Sequence, residues 1–144
     1  MKKLFMGLCL LLCLGFACIA AAAVQTYGPD FSRFTVDVPQ GWTASPNTGG
    51  CQISSPDGAS SVSIQINRSG GKSALELAQL IAADMPGEKN IEEEDGGVNI
   101  YATIDGVRVA VSVVADDDKF LVITVAGPDS ATLDRIVNSL DDAE

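Results

Sequence analysis

The residue types that carry most covalent chemistry are scarce in this chain. It has no histidine and only four cysteines in 144 residues, so neither a Cys-His nucleophile nor a Cys/His zinc site can be assembled. Cys9, Cys13 and Cys18 fall in an apolar N-terminal run, which leaves Cys51 alone in the remainder. One thiol makes no internal disulfide. Cys51 alternates with Ile53 at the head of an extended run, the pattern of a buried small hydrophobe rather than of a reactive thiol.

Ile66-Asn67-Arg68-Ser69-Gly70-Gly71-Lys72-Ser73 has the most suggestive spacing, a strand running through glycines and Gly-Lys-Ser into a helix. A phosphate-binding P-loop requires a glycine where this chain has Ile66, so no nucleotide is expected. Arg68, Lys72 and the free amides of the helix start keep the means to hold a small anion, but Glu76 in the first turn opposes one. Ser69 and Lys72 also match the Ser-x-x-Lys motif of penicillin-recognising enzymes, which sets the two side chains one helical turn apart. Gly70-Gly71 disfavours that turn, and no Ser-Asp-Asn or Lys-Thr-Gly element accompanies it. Asn67-Arg68-Ser69 is a formal glycosylation sequon, which carries little weight if the chain is the bacterial export product that its N-terminal run suggests.

Asp116-Asp117-Asp118 and the acids at 92–95 offer hard oxygen ligands, yet calcium loops alternate acids around a glycine and these acids are contiguous. They read as a hairpin turn and a solvated loop. Glycoside hydrolysis by such acids would need a cleft between two separated carboxylates, which a small chain poor in aromatics is not expected to build. The expectation is a protein with no catalytic residue, no metal and no cofactor, not an enzyme, whose binding residues the sequence does not assign.

Charge excludes further classes. Nineteen acidic residues face nine basic ones, a net charge of −10, the opposite of the basic footprint that nucleic acids and anionic lipid surfaces require. The first 23 residues explain part of the hydrophobic content: Lys2-Lys3, an apolar stretch over 4–19, then Ala21-Ala22-Ala23 before Val24. That is the layout of a cleaved secretory signal, with an apolar run short for a membrane span. Periplasmic or secreted localisation follows, with no transmembrane segment after cleavage. Lipid anchoring at Cys18 is a minor alternative, since Gly15-Phe16-Ala17 fits poorly before a lipidated cysteine. Cleavage leaves seven basic residues against all nineteen acids, a net charge of −12, in a single domain over 24–144 with short flexible ends.

The elements that must position any site follow from hydrophobic period. Phe34-Thr35-Val36-Asp37-Val38 alternates as a strand and ends at Pro39-Gln40-Gly41. After Trp42, a Ser/Pro/Asn/Gly-rich loop covers 45–50. The runs 51–54 and 61–66 form a hairpin around Pro56-Asp57-Gly58. Ser73 with Glu76 makes a capping box for a helix whose face carries Ala74, Leu77, Ala78, Ile81 and Met85 before Pro86-Gly87. Period two returns over 98–104, turns at Asp105-Gly106, continues over 107–113, turns again at 115–119 and ends with a strand over 120–125. Leu133, Ile136, Val137 and Leu140 mark a closing helix.

Strands, a helix, a three-stranded meander and a helix make an α+β fold, an antiparallel sheet with both helices packed mainly on one face. The opposite face would carry Thr35, Asp37, Ser63, Gln65, Asn99, Tyr101, Thr103, Arg108 and Ser112, a solvated surface available for recognition.

The element order, together with Phe34-Thr35-Val36-Asp37-Val38-Pro39-Gln40-Gly41-Trp42, resembles the PsbP-like and DcrB-like superfamily over most of residues 30–141. Proline and glycine there turn the chain after an edge strand and set the tryptophan over the core. The resemblance implies an antiparallel sheet with packed helices, no catalytic site, and roles as accessory or adaptor proteins that act by interaction. It assigns no ligand-binding residue to this chain. The expected function is therefore an exported, non-enzymatic envelope accessory protein that binds another envelope protein. The alternative is a carrier of a small or lipidic ligand between sheet and helices, and a Ser- or carboxylate-dependent hydrolase ranks last.

Overall fold

A computed structural model describes residues 22–143. The export-signal reading of residues 1–23, with Cys9, Cys13 and Cys18, lies outside the described residues except for Ala22 and Ala23. Among the described residues two antiparallel sheets and two helices form an α+β fold. The strands are β1 (Ala23–Tyr27), β2 (Phe34–Val38), β3 (Thr43–Asn47), β4 (Gly50–Ser54), β5 (Ser61–Arg68), β6 (Lys89–Glu94), β7 (Gly97–Ile104), β8 (Val107–Asp116), β9 (Lys119–Ala126) and β10 (Asp141–Asp142). Helix α1 spans Ala74–Asp84 and α2 spans Ser130–Asn138.

The large sheet has the order β3-β4-β5-β9-β8-β7-β6, and the small one β1-β2-β10. Strand β2 is therefore the centre of the small sheet, not an edge. Gly41, at φ 81°, closes the turn in which Trp42 N–H donates to Pro39 O at 3.1 Å, and Trp42 packs partly buried against the core as expected. Two segments expected as loops are strands. Thr43–Asn47 tolerates Pro46 because it is the outer strand, where a missing N–H costs no ladder bond. Lys89–Glu94 pairs with β7 at the other edge, where Glu92, Glu93 and Glu94 deter a further strand, so the meander has four strands.

Register decides where the helices lie. Ile64 is opposite Ile123, Ile123 opposite Ser112, and Ser112 opposite Asn99, so these four share one face. Val122, Val113 and Val98 are likewise opposite one another and share the other face, since Val122 and Ile123 are consecutive. Val98, Ile100, Val111, Val113 and Val122 pack on Leu77, Ala78 and Ala82 of α1. Val62, Ile64 and Ile66 pack on Leu133 and Ile136 of α2 and on Phe34, Val36 and Val38 of the small sheet. The helices therefore cover opposite faces, where the sequence suggested mainly one. A strand's alternation shows that two rows exist, and here both rows of β9 are apolar, so each takes a helix.

Coverage is diagonal. Helix α1 lies over β6, β7 and β8 on one face, and α2 with β2 lies on the other face at the β5 end of the sheet. Each face keeps one open half. Ser63 and Gln65 stand on the open half at the β3–β5 end, on the face that α1 covers elsewhere. Asn99, Tyr101, Thr103, Arg108 and Ser112 stand on the open half at the β6–β8 end, on the face shared with α2. Thr35 and Asp37 belong to the small sheet, bonded through Thr35 Oγ1 to Asp141 O at 3.5 Å and through Asp37 N–H to Ser139 Oγ at 2.9 Å. The single polar face expected from the sequence is thus three separate surfaces.

Candidate functional site

The residues singled out for chemistry are held in structural roles. Ser69 is buried, 3% exposed; its hydroxyl donates to Asp117 O at 3.4 Å and accepts from Gly71 N–H at 3.3 Å. Gly70 and Gly71 have φ of 61° and 78°, so Ser69 and Lys72 do not sit one helical turn apart. The amides of α1 are met from within the chain: Ser73 Oγ accepts from Glu76 N–H at 3.2 Å, and Glu76 accepts from Ser73 N–H at 2.8 Å. Those bonds, the Ser73 amide first, hold the Glu76 carboxyl below its ordinary range. Arg68 is paired with Asp118 and stacks over the Phe31 ring at 3.9 Å. Of the small-anion site allowed by Arg68, Lys72 and the helix start, Arg68 and the Ser73 amide are accordingly taken by the chain's own carboxylates.

Asp116-Asp117-Asp118 forms the β8–β9 turn, with Asp117 at φ 46°. Among the described residues no group of three metal-ligating side chains converges. Cys51 is fully buried, and desolvation pushes its thiol up to about 11. It is the packed hydrophobe that its alternation with Ile53 implied.

What the fold builds instead is a groove of about 770 Å³ beside the open half of the β6–β8 end. Tyr101, Thr103, Arg108 and Ala110 of β7 and β8 form one side, and Ser130, Leu133 and Asp134 of α2 the other. Val125 lies between them, and Glu88, Lys89 and Asn90 close one end. Helix spacing explains the second wall, because positions 130, 133 and 134 fall on one stripe. Asp129 caps that helix, accepting from Thr132 N–H at 3.3 Å, and its own N–H donates to Ser60 Oγ at 3.1 Å. Gly127 joins β9 to the cap at φ 108°; a Cβ there would sit 2.2 Å from Ala59 O, so glycine alone permits the approach.

Charges in the groove are mixed, with Arg108 and Lys89 among Glu88 and Asp134. Lys89 Nζ donates to Met85 O at 2.6 Å, near the end of α1. The ion pairs among the described residues are Asp30–Arg33 and Arg68–Asp118, so Arg108 has no carboxylate partner although Asp134 lines the facing wall. Tyr101 in the groove wall and Val114 beyond it are each 40% exposed, and Ser112 Oγ donates to Asn99 Oδ1 at 2.7 Å across β7 and β8. The sequence placed Tyr101, Thr103 and Arg108 on one polar row, and that grouping stands. Asp134 and Ala110 were missed; the signal for Asp134 was its place beside Leu133 at the border of the apolar stripe.

This architecture, a seven-stranded antiparallel sheet with a helix on each face and a small sheet beside one of them, is a PsbP-like fold. Cyanobacterial PsbP (CyanoP) from Synechocystis sp. PCC 6803 superposes with a TM-score of 0.51 at 13% identity, covering 88% of this chain and 96% of that one. A structure from Bacteroides thetaiotaomicron VPI-5482 gives a TM-score of 0.48 at 11% identity over 77% of this chain and 45% of its own. No family model and no curated protein matches the sequence. Among the described residues no helix is long and apolar enough to cross a membrane.

Proposed function

We propose that this chain is an exported, non-enzymatic accessory protein of the cell envelope that holds another protein against the open β6–β8 half of its sheet. The observation that carries the reading is that surface itself: Tyr101 and Val114, each 40% exposed, stand with Asn99 and Ser112 on the half of a sheet face that no helix covers, along a groove. An aromatic and a β-branched side chain on a rigid sheet supply contact area at low entropic cost. A PsbP-like fold is compatible with an accessory role. The structural roles of Ser69, Glu76 and Cys51 speak against catalysis at the positions whose residue types allow it. Lys2-Lys3, the apolar stretch and Ala21-Ala22-Ala23 support export.

The test is cross-linked purification of a C-terminally tagged copy at native expression, with mass spectrometry of the adducts and of the mature N-terminus. The reading requires a stoichiometric protein partner cross-linked on β6–β8 and a chain starting at Val24. A chain that retains residues 1–23 contradicts export, and cross-links confined to the β3–β5 end contradict the surface.

A second reading, a carrier of a small or lipidic ligand between sheet and helix, is favoured by the groove, which combines apolar walls with the unpaired Arg108 at its rim. Recovery of a small molecule with the protein and no partner would select it.

A further inference from the structure

We infer that the groove between α2 and the open strands binds a small anionic amphiphile, an alkyl chain ending in one carboxylate, with Arg108 holding the head group. This deepens the carrier reading, on which it rests, by naming the ligand's chemical class, and it requires no protein partner.

Size comes first. About 770 Å³ lies within the roughly 300–1,000 Å³ that small-molecule sites occupy. Ala110, Val125 and the Tyr101 ring, each at least partly exposed, give a bound alkyl chain apolar contacts. The head group follows from charge. Of the two cations that line the groove, Lys89 donates to the Met85 carbonyl. Arg108 has no carboxylate partner among the described residues, and its planar fork matches a carboxylate with two parallel hydrogen bonds.

The surrounding field sharpens the choice. A net charge of −10 repels anions from the surface at large, whereas the groove balances Arg108 and Lys89 against Glu88 and Asp134. The groove therefore repels a single negative charge less than the surface at large does. Asp134 on the facing wall disfavours a second negative group.

The experiment titrates the full chain, as cells produce it, with dodecanoate, dodecyltrimethylammonium and dodecyl maltoside below their micelle concentrations. Binding is followed by calorimetry and by backbone amide resonances. Dodecanoate should bind one to one and move the resonances of Ala110, Gly127 and Asp134, at least about tenfold tighter than either other head group, given the strength of charge-assisted bonds. Arg108→Gln should cost dodecanoate about tenfold and leave dodecyl maltoside unchanged. Arg108 is exposed, so this variant should fold, and Ala110→Phe fills the groove as a second check and should abolish binding. Equal affinity for all three heads, or an Arg108→Gln variant that binds dodecanoate normally, overturns the anionic class while the carrier reading stands. No binding of any of the three overturns both. Phosphatidylglycerol vesicles separate a free ligand from a membrane surface: binding to vesicles without binding to dodecanoate contradicts the proposal.

Discussion

Cys51 carries the only thiol of the described residues, and its surroundings remove it from chemistry. Ile53, Val62 and Ile64 are all fully buried in the same cluster, and the cost of placing a thiolate there lifts the thiol to about 11. At neutral pH the folded protein should resist a thiol reagent that labels it fully in denaturant, a comparison read by absorbance. Cys51→Ser buries a hydroxyl in an apolar site and should cost about 1–3 kcal/mol in denaturant titration. Labelling of the native protein at the denatured rate would contradict this packing.

Helix α1 shows how far local signals reach. Ser73 and Glu76 close a reciprocal capping box, so Ser73→Ala should cost about 1 kcal/mol, measurable by thermal unfolding. The Glu76 carboxyl is held low in the folded state by the Ser73 amide and hydroxyl. A group whose folded value is depressed contributes stability above its unfolded value and loses it as pH falls through the folded one. Acidification should therefore weaken wild type over that range, and Glu76→Gln should flatten the dependence there. Unfolding curves at a series of acidic pH values decide the point.

The capping box was legible because it is local, as were the Asp105-Gly106 turn, with φ of 51° and 80°, and the hairpin of β4 and β5. The edge strands were not. Ala44-Ser45-Pro46-Asn47 has loop composition, and Glu92-Glu93-Glu94 reads as solvated acid, because edge strands borrow the residues of loops to avoid further pairing. The side on which each helix packs was hidden for another reason. Alternation marks two faces on every strand, and only cross-strand register links Ile123 to Ile64 and Val122 to Val113. Candidate site residues divided the same way: Tyr101 and Arg108 were visible on their strands, while their meeting with Asp134 required the tertiary fold.

At the scale of the molecule, a helix on each face means two apolar cores separated by the sheet. Ile100 belongs to the core under α1, and Ile136 to the core between α2, the large sheet and the small one. Ile100→Ala and Ile136→Ala should each cost about 2–5 kcal/mol. With no shared partners the losses should add in the double variant to within about 0.5 kcal/mol. Strong coupling would place both residues in one core and contradict the opposed packing.

The diagonal coverage also defines the function proposed here, because it leaves one open half-face beside the groove and a second at the β3–β5 end. A photo-activated benzoyl-phenylalanine at Tyr101, and separately at exposed Gln52 on the other open half, tests that claim in living cells. The account predicts a discrete protein adduct from position 101 and none from position 52. Absence of an adduct from position 101, or the same adducts from both positions, would contradict it.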